Sequence, residues 1–79
     1  MEKLKKIHDT FSQIAEDTTV NISKIDDYTF NVIIDGELMD SFEKLGKIQN
    51  RIEKSCSDGY TLQTIYGEGQ EAKLIIKKN

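Results

Sequence analysis

The chain has 79 residues, of which 37% are hydrophobic and 32% charged, with a formal net charge of −3 at pH 7. This balance excludes a disordered chain. The longest uninterrupted apolar runs, such as Val32-Ile33-Ile34, are far too short for a membrane-spanning helix. The lone Cys56 excludes an intramolecular disulfide framework and fits a reducing compartment. Residues 1–6 are basic but lead into no apolar stretch, so we expect no secretory signal and a single cytoplasmic domain over residues 1–79.

The first predicted element is a helix over about residues 2–16. Its apolar side chains recur at intervals of three and four, which places them on one stripe: Leu4, Ile7, Phe11, Ile14 and Ala15. Asp17-Thr18-Thr19 ends the pattern. His8 lies beside this stripe without an indicated catalytic partner or pocket, so we interpret it as a boundary residue.

Two strands are predicted next, over residues 19–25 and 28–34, joined by a turn at Asp26-Asp27. Both segments alternate apolar with polar residues and are rich in β-branched or aromatic types. In the second strand, one face carries Tyr28, Phe30, Val32 and Ile34. Asp35-Gly36 then marks the end of this strand.

A second helix is predicted from Asp40 to about Ser57-Asp58-Gly59. Asp40 is the expected N-cap, with Glu43 at the capping-box position, and Gly59 is the expected C-terminal stop. The predicted apolar stripe contains Phe42, Leu45, Ile48, Ile52 and Cys56. We interpret Cys56 as a small hydrophobic residue of this stripe rather than a nucleophile.

The last predicted elements are strands over residues 60–66 and 71–77, around Gly67-Glu68-Gly69-Gln70. Because no helix follows these glycines, we interpret them as turn residues that supply a positive φ, and not as a phosphate-binding loop. The order α-β-β-α-β-β predicts an α+β fold, a two-layer sandwich with two helices on one face of a four-stranded, mainly antiparallel sheet. The strand order is left open. The most buried residues are expected to include Phe11, Phe30, Val32, Phe42, Leu45, Ile52, Leu62 and Leu74.

Signatures of catalysis and of metal binding are sparse. The chain has one histidine and one cysteine, and no CxxC, HExxH, Walker or GxSxG motif. Asp35, Glu37 and Asp40 crowd one loop, but their spacing does not match an EF-hand. We therefore expect a protein that is not an enzyme and has no cofactor or metal.

The four strands each place one isoleucine on an otherwise polar outer face, and these are Ile25, Ile33, Ile65 and Ile75. If the sheet is open on that side, they form an exposed apolar surface of the kind that contacts other proteins. The leading hypothesis is therefore a small protein-binding domain that contacts another protein or a second copy of itself. It would act as an inhibitor, adaptor or regulatory subunit, and small size alone suggests a phage or mobile-element type.

Two alternatives remain open. Lys44, Lys47, Arg51 and Lys54 are spaced 3-4-3 and form a basic stripe along the second helix that could follow nucleic-acid phosphates. We favour this less, because the chain as a whole is acidic. The third possibility is a small enzyme whose active site is assembled across a dimer.

Overall fold

The computed structural model describes residues 2–56, 59–67 and 70–79. Its elements are α1 (Glu2–Ile14), β1 (Val20–Asp26), β2 (Thr29–Ile34), α2 (Leu38–Cys56), β3 (Tyr60–Tyr66) and β4 (Glu71–Lys78). The predicted order and fold class are confirmed: two helices pack on one face of a four-stranded antiparallel sheet. No helix in the part of the chain described here is long and apolar enough to cross a membrane.

The sheet has the order β1-β2-β4-β3, and each neighbouring pair is antiparallel. The two hairpins therefore meet through β2 and β4, which become the central strands, while β1 and β3 form the edges. The β1–β2 register shifts between Lys24 and Asp26, so Ile25 lies at a β-bulge near the end of the edge strand.

The core lies between the helices and one face of the sheet. The helices and the strands each contribute apolar side chains to this core. Positions separated by two on a strand, or by three and four on a helix, face the same side. The buried apolar residues are Ile7, Phe11, Ile14, Val20, Phe30, Val32, Ile34, Leu45, Ile48, Ile52, Cys56, Ala72, Leu74 and Ile76. Leu62 is only partly buried, since it lies on edge strand β3.

The prediction that Phe42 belongs to the core is wrong. Its side chain is 51% exposed, whereas the neighbouring Ser41 is 1% exposed and its Oγ donates to the Glu37 carbonyl at 2.9 Å. One residue along a helix is a rotation of 100°, so the core-facing stripe starts at Ser41 and continues to Leu45. Tyr28, which the alternation places on the same strand face as Phe30, lies instead in the turn before β2 and is 41% exposed.

The start of α2 also differs from the prediction. The Ser41 amide donates to the Glu37 carbonyl at 2.9 Å, which is the first turn of a helix that begins at Leu38. Asp40 therefore lies inside the first turn and is not the N-cap. Its carboxylate remains near the positive end of the helix dipole, where a negative charge is favourable.

Gly59, the predicted C-terminal stop of α2, has a φ of 95° that residues with a Cβ rarely adopt. Residues 57–58 and 68–69 of the predicted turns lie outside the described residues. The described positive-φ glycines are Gly36 and Gly59. Gly67 is not among them and Gly69 lies outside the described residues, so the positive φ expected of a glycine in the β3–β4 turn stays a prediction. The Gln70 side chain donates to the Gly36 carbonyl, which joins the β3–β4 turn to the loop before α2.

Candidate interaction surfaces

The helix-free face of the sheet carries the isoleucines that the sequence singled out. Ile25, Ile33 and Ile65 are 56%, 40% and 47% exposed, and Ile75 on the central strand β4 is half-buried. Within the described residues no helix covers this face, because α1 and α2 both pack on the other one. We name this surface the open face, defined by these four isoleucines and the polar residues between them.

The register determines how far apart these isoleucines lie. Ile33 pairs with Asn21 and Glu71 on its two sides. Ile75 pairs with Thr29 and Gln63, so polar neighbours separate it from Ile33.

Ile65 pairs with Lys73, which makes Ile75 its diagonal neighbour at roughly 7–8 Å. The open face therefore holds one apolar pair, Ile65 and Ile75, with Ile33 and Ile25 as separate apolar positions among polar side chains.

A second candidate surface is an open cleft of about 370 Å³ between the end of α1 and α2. Three of the four residues of the predicted basic stripe line it, Lys44, Lys47 and Arg51; Lys54 is not among the lining residues. Val20 and Ile48 contribute apolar surface. The helical spacing of the stripe thus brings three cations to one cleft.

Two of these cations already have partners within the chain. Lys44 Nζ lies 2.5 Å from Thr19 Oγ1 and 3.5 Å from Asp17 Oδ2, and Arg51 Nη2 donates to Gln13 Oε1 at 3.2 Å. The Asp17 carboxylate accepts from the Thr19 amide at 2.9 Å and from its hydroxyl at 2.7 Å. These hydrogen bonds, and secondarily Lys44, lower the pKa of Asp17, so a negative charge stays in the cleft.

The residues considered for catalysis are engaged in structural contacts. His8 Nε2 donates to the Asp27 carbonyl at 2.8 Å, and its ring packs edge-on against Phe30 with centroids 5.5 Å apart. Burial, and next the Glu53 charge, raise the pKa of the Cys56 thiol, which disfavours the nucleophilic thiolate. Within residues 2–56, 59–67 and 70–79, no group of three His, Cys, Asp or Glu side chains is placed to hold a metal ion.

Sequence reasoning missed an apolar cluster at the start of α2. Leu38, Met39 and Phe42 are 49%, 81% and 51% exposed. Phe42 follows Leu38 by four residues and Met39 by three, so the three side chains are neighbours on the helix surface. That spacing was visible in the sequence, but the assignment of Phe42 to the core hid it.

This cluster lies on the flank of α2 that faces edge strand β3. The Tyr66 hydroxyl at the end of β3 donates to Gln49 Oε1 at 2.8 Å. Phe42 precedes Gln49 by seven residues, about two helical turns, and therefore lies on the same flank. We name the surface formed by Leu38, Phe42, Gln49 and strand β3 the β3 edge surface.

No family model matches this sequence, and comparison with curated proteins and with solved structures gave no match.

Proposed function

We propose that this protein is a non-catalytic protein-binding domain that uses its open face to contact another protein. The observation that carries the proposal is the exposure of Ile25, Ile33 and Ile65, each at least 40% accessible on a sheet face without helices. Threonine suits a strand through the same β-branch and keeps a surface wetter, so isoleucine at these positions favours a contact role.

The energy available from such a contact is useful but limited. Complete burial of a fully exposed isoleucine stabilises a complex by about 1.5–3 kcal/mol, and Ile33 and Ile65, which are 40% and 47% exposed, can each contribute about half of that. Micromolar affinity corresponds to about 8 kcal/mol after the costs of association. The diagonal pair Ile65 and Ile75, together with Ile33, supports an interface of that strength when polar rim residues complete it.

The biological class that fits such a domain is an inhibitor, adaptor or regulatory subunit. The buried, free Cys56 supports a reducing compartment such as the cytoplasm. The structural contacts of His8 and the raised pKa of Cys56 support binding over catalysis.

The test is binding to a partner that is first captured from native lysate and then purified. Ile33→Lys and Ile75→Lys are expected to weaken that complex at least severalfold while leaving the circular dichroism spectrum and unfolding midpoint near wild type. Ser23→Lys is the matched control, because it adds the same charge to the same face, opposite the neutral Asn31, without removing an apolar side chain. Unchanged affinity in both isoleucine variants would rule out the open face as the contact surface.

A second candidate is nucleic-acid binding through the cleft of Lys44, Lys47 and Arg51. The convergence of three cations on one cleft favours it. The Asp17 carboxylate in that cleft and the net charge of −3 weaken it.

A further inference from the structure

The two edges of the sheet are protected to different degrees against pairing with another strand. Edge strand β1 contains Lys24 and Asp26 and carries a β-bulge between them. Edge strand β3 reads Tyr-Thr-Leu-Gln-Thr-Ile-Tyr, with no charged residue, no proline and an unbroken register with β4. Charges, prolines and bulges are the devices that block edge-to-edge pairing, and β3 has none of them.

The hydrogen-bond pattern identifies the backbone groups of β3 that remain available. The Gly67 amide donates to the Glu71 carbonyl at 2.8 Å, and the Asn79 amide donates to the Gly59 carbonyl at 2.8 Å. In an antiparallel pair, residues that bond to the neighbouring strand alternate with residues whose amides and carbonyls point away. The odd-numbered residues of β3 therefore bond to β4, and Tyr60, Leu62, Thr64 and Tyr66 direct their backbone groups outward.

We propose that β3 pairs antiparallel with β3 of a second copy of this chain, about a two-fold axis at Gln63. This register places Leu62 opposite Thr64 and Tyr60 opposite Tyr66 of the second copy as hydrogen-bonded pairs. Gln63 lies opposite itself. The four outward-directed residues of each strand then all find backbone partners, and the sheet becomes continuous over eight strands.

Charge and shape favour a second copy over other occupants. A two-fold contact brings each residue close to its own symmetry mate, so like charges in the strand would oppose one another. The neutral sequence of β3 avoids this repulsion between two copies that each carry a net charge of −3. Alternation also keeps the faces matched, because Tyr60 and Tyr66 lie on the helix side in both copies.

The same pairing covers the apolar flank of α2. Both helices of each copy lie on one face, so the two α2 helices approach each other antiparallel across the axis. The axes of two packed helices lie about 8–10 Å apart. This distance equals roughly two strand spacings of about 4.8 Å, so helices carried by two paired edge strands can come into contact. Leu38 and Phe42, about half exposed in the single chain, then face the second copy.

The area of this contact predicts a weak dimer. The seven residues of β3 span about 23 Å, and the molecule is 21 Å across its shortest dimension. Each copy therefore offers on the order of 500 Å², and the pair buries on the order of 1,000 Å², near the lower limit of specific interfaces. We expect a dissociation constant in the micromolar range or weaker.

Sedimentation velocity over a range of protein concentrations tests the proposal, and the decisive variants introduce a charge at the axis. Gln63→Lys and Gln63→Glu each oppose like charges across the two-fold, and each is expected to weaken dimerisation severalfold. An equimolar mixture of the two variants is expected to restore dimerisation, because opposite charges then face each other. Ser23→Lys, on edge strand β1 at the opposite edge of the same face, is the control and is expected to dimerise like wild type.

Amide hydrogen exchange supplies a second readout at residue level. The outward-directed Leu62 and Thr64 amides are expected to exchange more slowly in concentrated than in dilute samples. The Gln63 amide, directed at β4, serves as the internal reference. A chain that stays monomeric at millimolar concentration, or variants whose mixture does not recover association, would overturn the proposal. Neither result bears on the open-face contact, because Ile33→Lys and Ile75→Lys test that surface separately.

Discussion

Phe11 of α1 stacks on Phe30 of β2, with ring centroids 3.9 Å apart and ring planes inclined by 15°. Both side chains are nearly inaccessible, at 2% and 4% exposed. The edge of the His8 ring closes one side of this stack at 5.5 Å from Phe30. This cluster joins the first helix to the strand beneath it, so the helix–sheet contact depends on it.

The cost of losing this stack is the first prediction. Phe30→Ala is expected to lower the free energy of unfolding by about 3–5 kcal/mol, because it removes a fully buried aromatic side chain and leaves a cavity. Phe42→Ala is the matched control, since its half-exposed ring is expected to contribute about 1 kcal/mol or less. Urea unfolding of dilute protein, followed by circular dichroism, measures both. Equal losses would show that Phe42 is also in the core.

The second prediction concerns a buried hydroxyl. Thr64 Oγ1 on the inner side of β3 is buried and has no hydrogen-bond partner among the described residues. An unsatisfied buried hydroxyl costs free energy, and valine has the same shape without it. Thr64→Val is expected to raise the free energy of unfolding by about 1 kcal/mol, whereas Thr29→Val, on the helix-free face of β2, is expected to change it little. A destabilised Thr64→Val variant would mean that the hydroxyl has a partner.

The third prediction is a pH dependence that arises from Asp17. Hydrogen bonds from Thr19, followed by Lys44, lower its pKa below the ordinary value of 3.8. A carboxyl whose pKa is lowered by folding adds stability above its unfolded pKa, and this stability is lost as the pH falls through the folded pKa. Wild type is therefore expected to be more stable than Asp17→Asn at neutral pH, and the difference should shrink as the pH falls below 3.8. Thermal unfolding at several pH values checks this, and a pH-independent difference would contradict it.

The fourth prediction concerns the basic cleft. We expect no measurable retention of the wild-type protein on DNA or RNA at low salt, because Asp17 and the overall negative charge oppose phosphate binding. If retention is observed, it should fall steeply with salt, and Lys47→Glu with Arg51→Glu should abolish it. Lys24→Glu, on edge strand β1 away from the cleft, is the control. Retention that the cleft variants remove and the control leaves intact would establish nucleic-acid binding as the function.

The sequence predicted the elements well where periodicity alone decides which face is buried. Phe30, Val32 and Ile34 alternate along β2, and all three are buried as expected. Ile48 and Ile52 follow the helical spacing of α2 and are likewise buried. Such patterns are local, because each depends only on the rotation per residue of one element.

Tertiary structure decided what periodicity leaves open. Phe42 and Ser41 were both compatible with an amphipathic helix, and only the orientation of α2 over the sheet selected Ser41 for the core. The pairing of β2 with β4 was equally hidden, since every strand offers the same alternation to any neighbour. That pairing separates Ile33 from Ile75 on the open face and leaves β3 at an edge. The sequence by itself determined the order of the elements and most of their buried positions, whereas long-range packing decided the start of the buried face of α2 and which surfaces stay exposed, because exposure depends on neighbours that are distant along the chain.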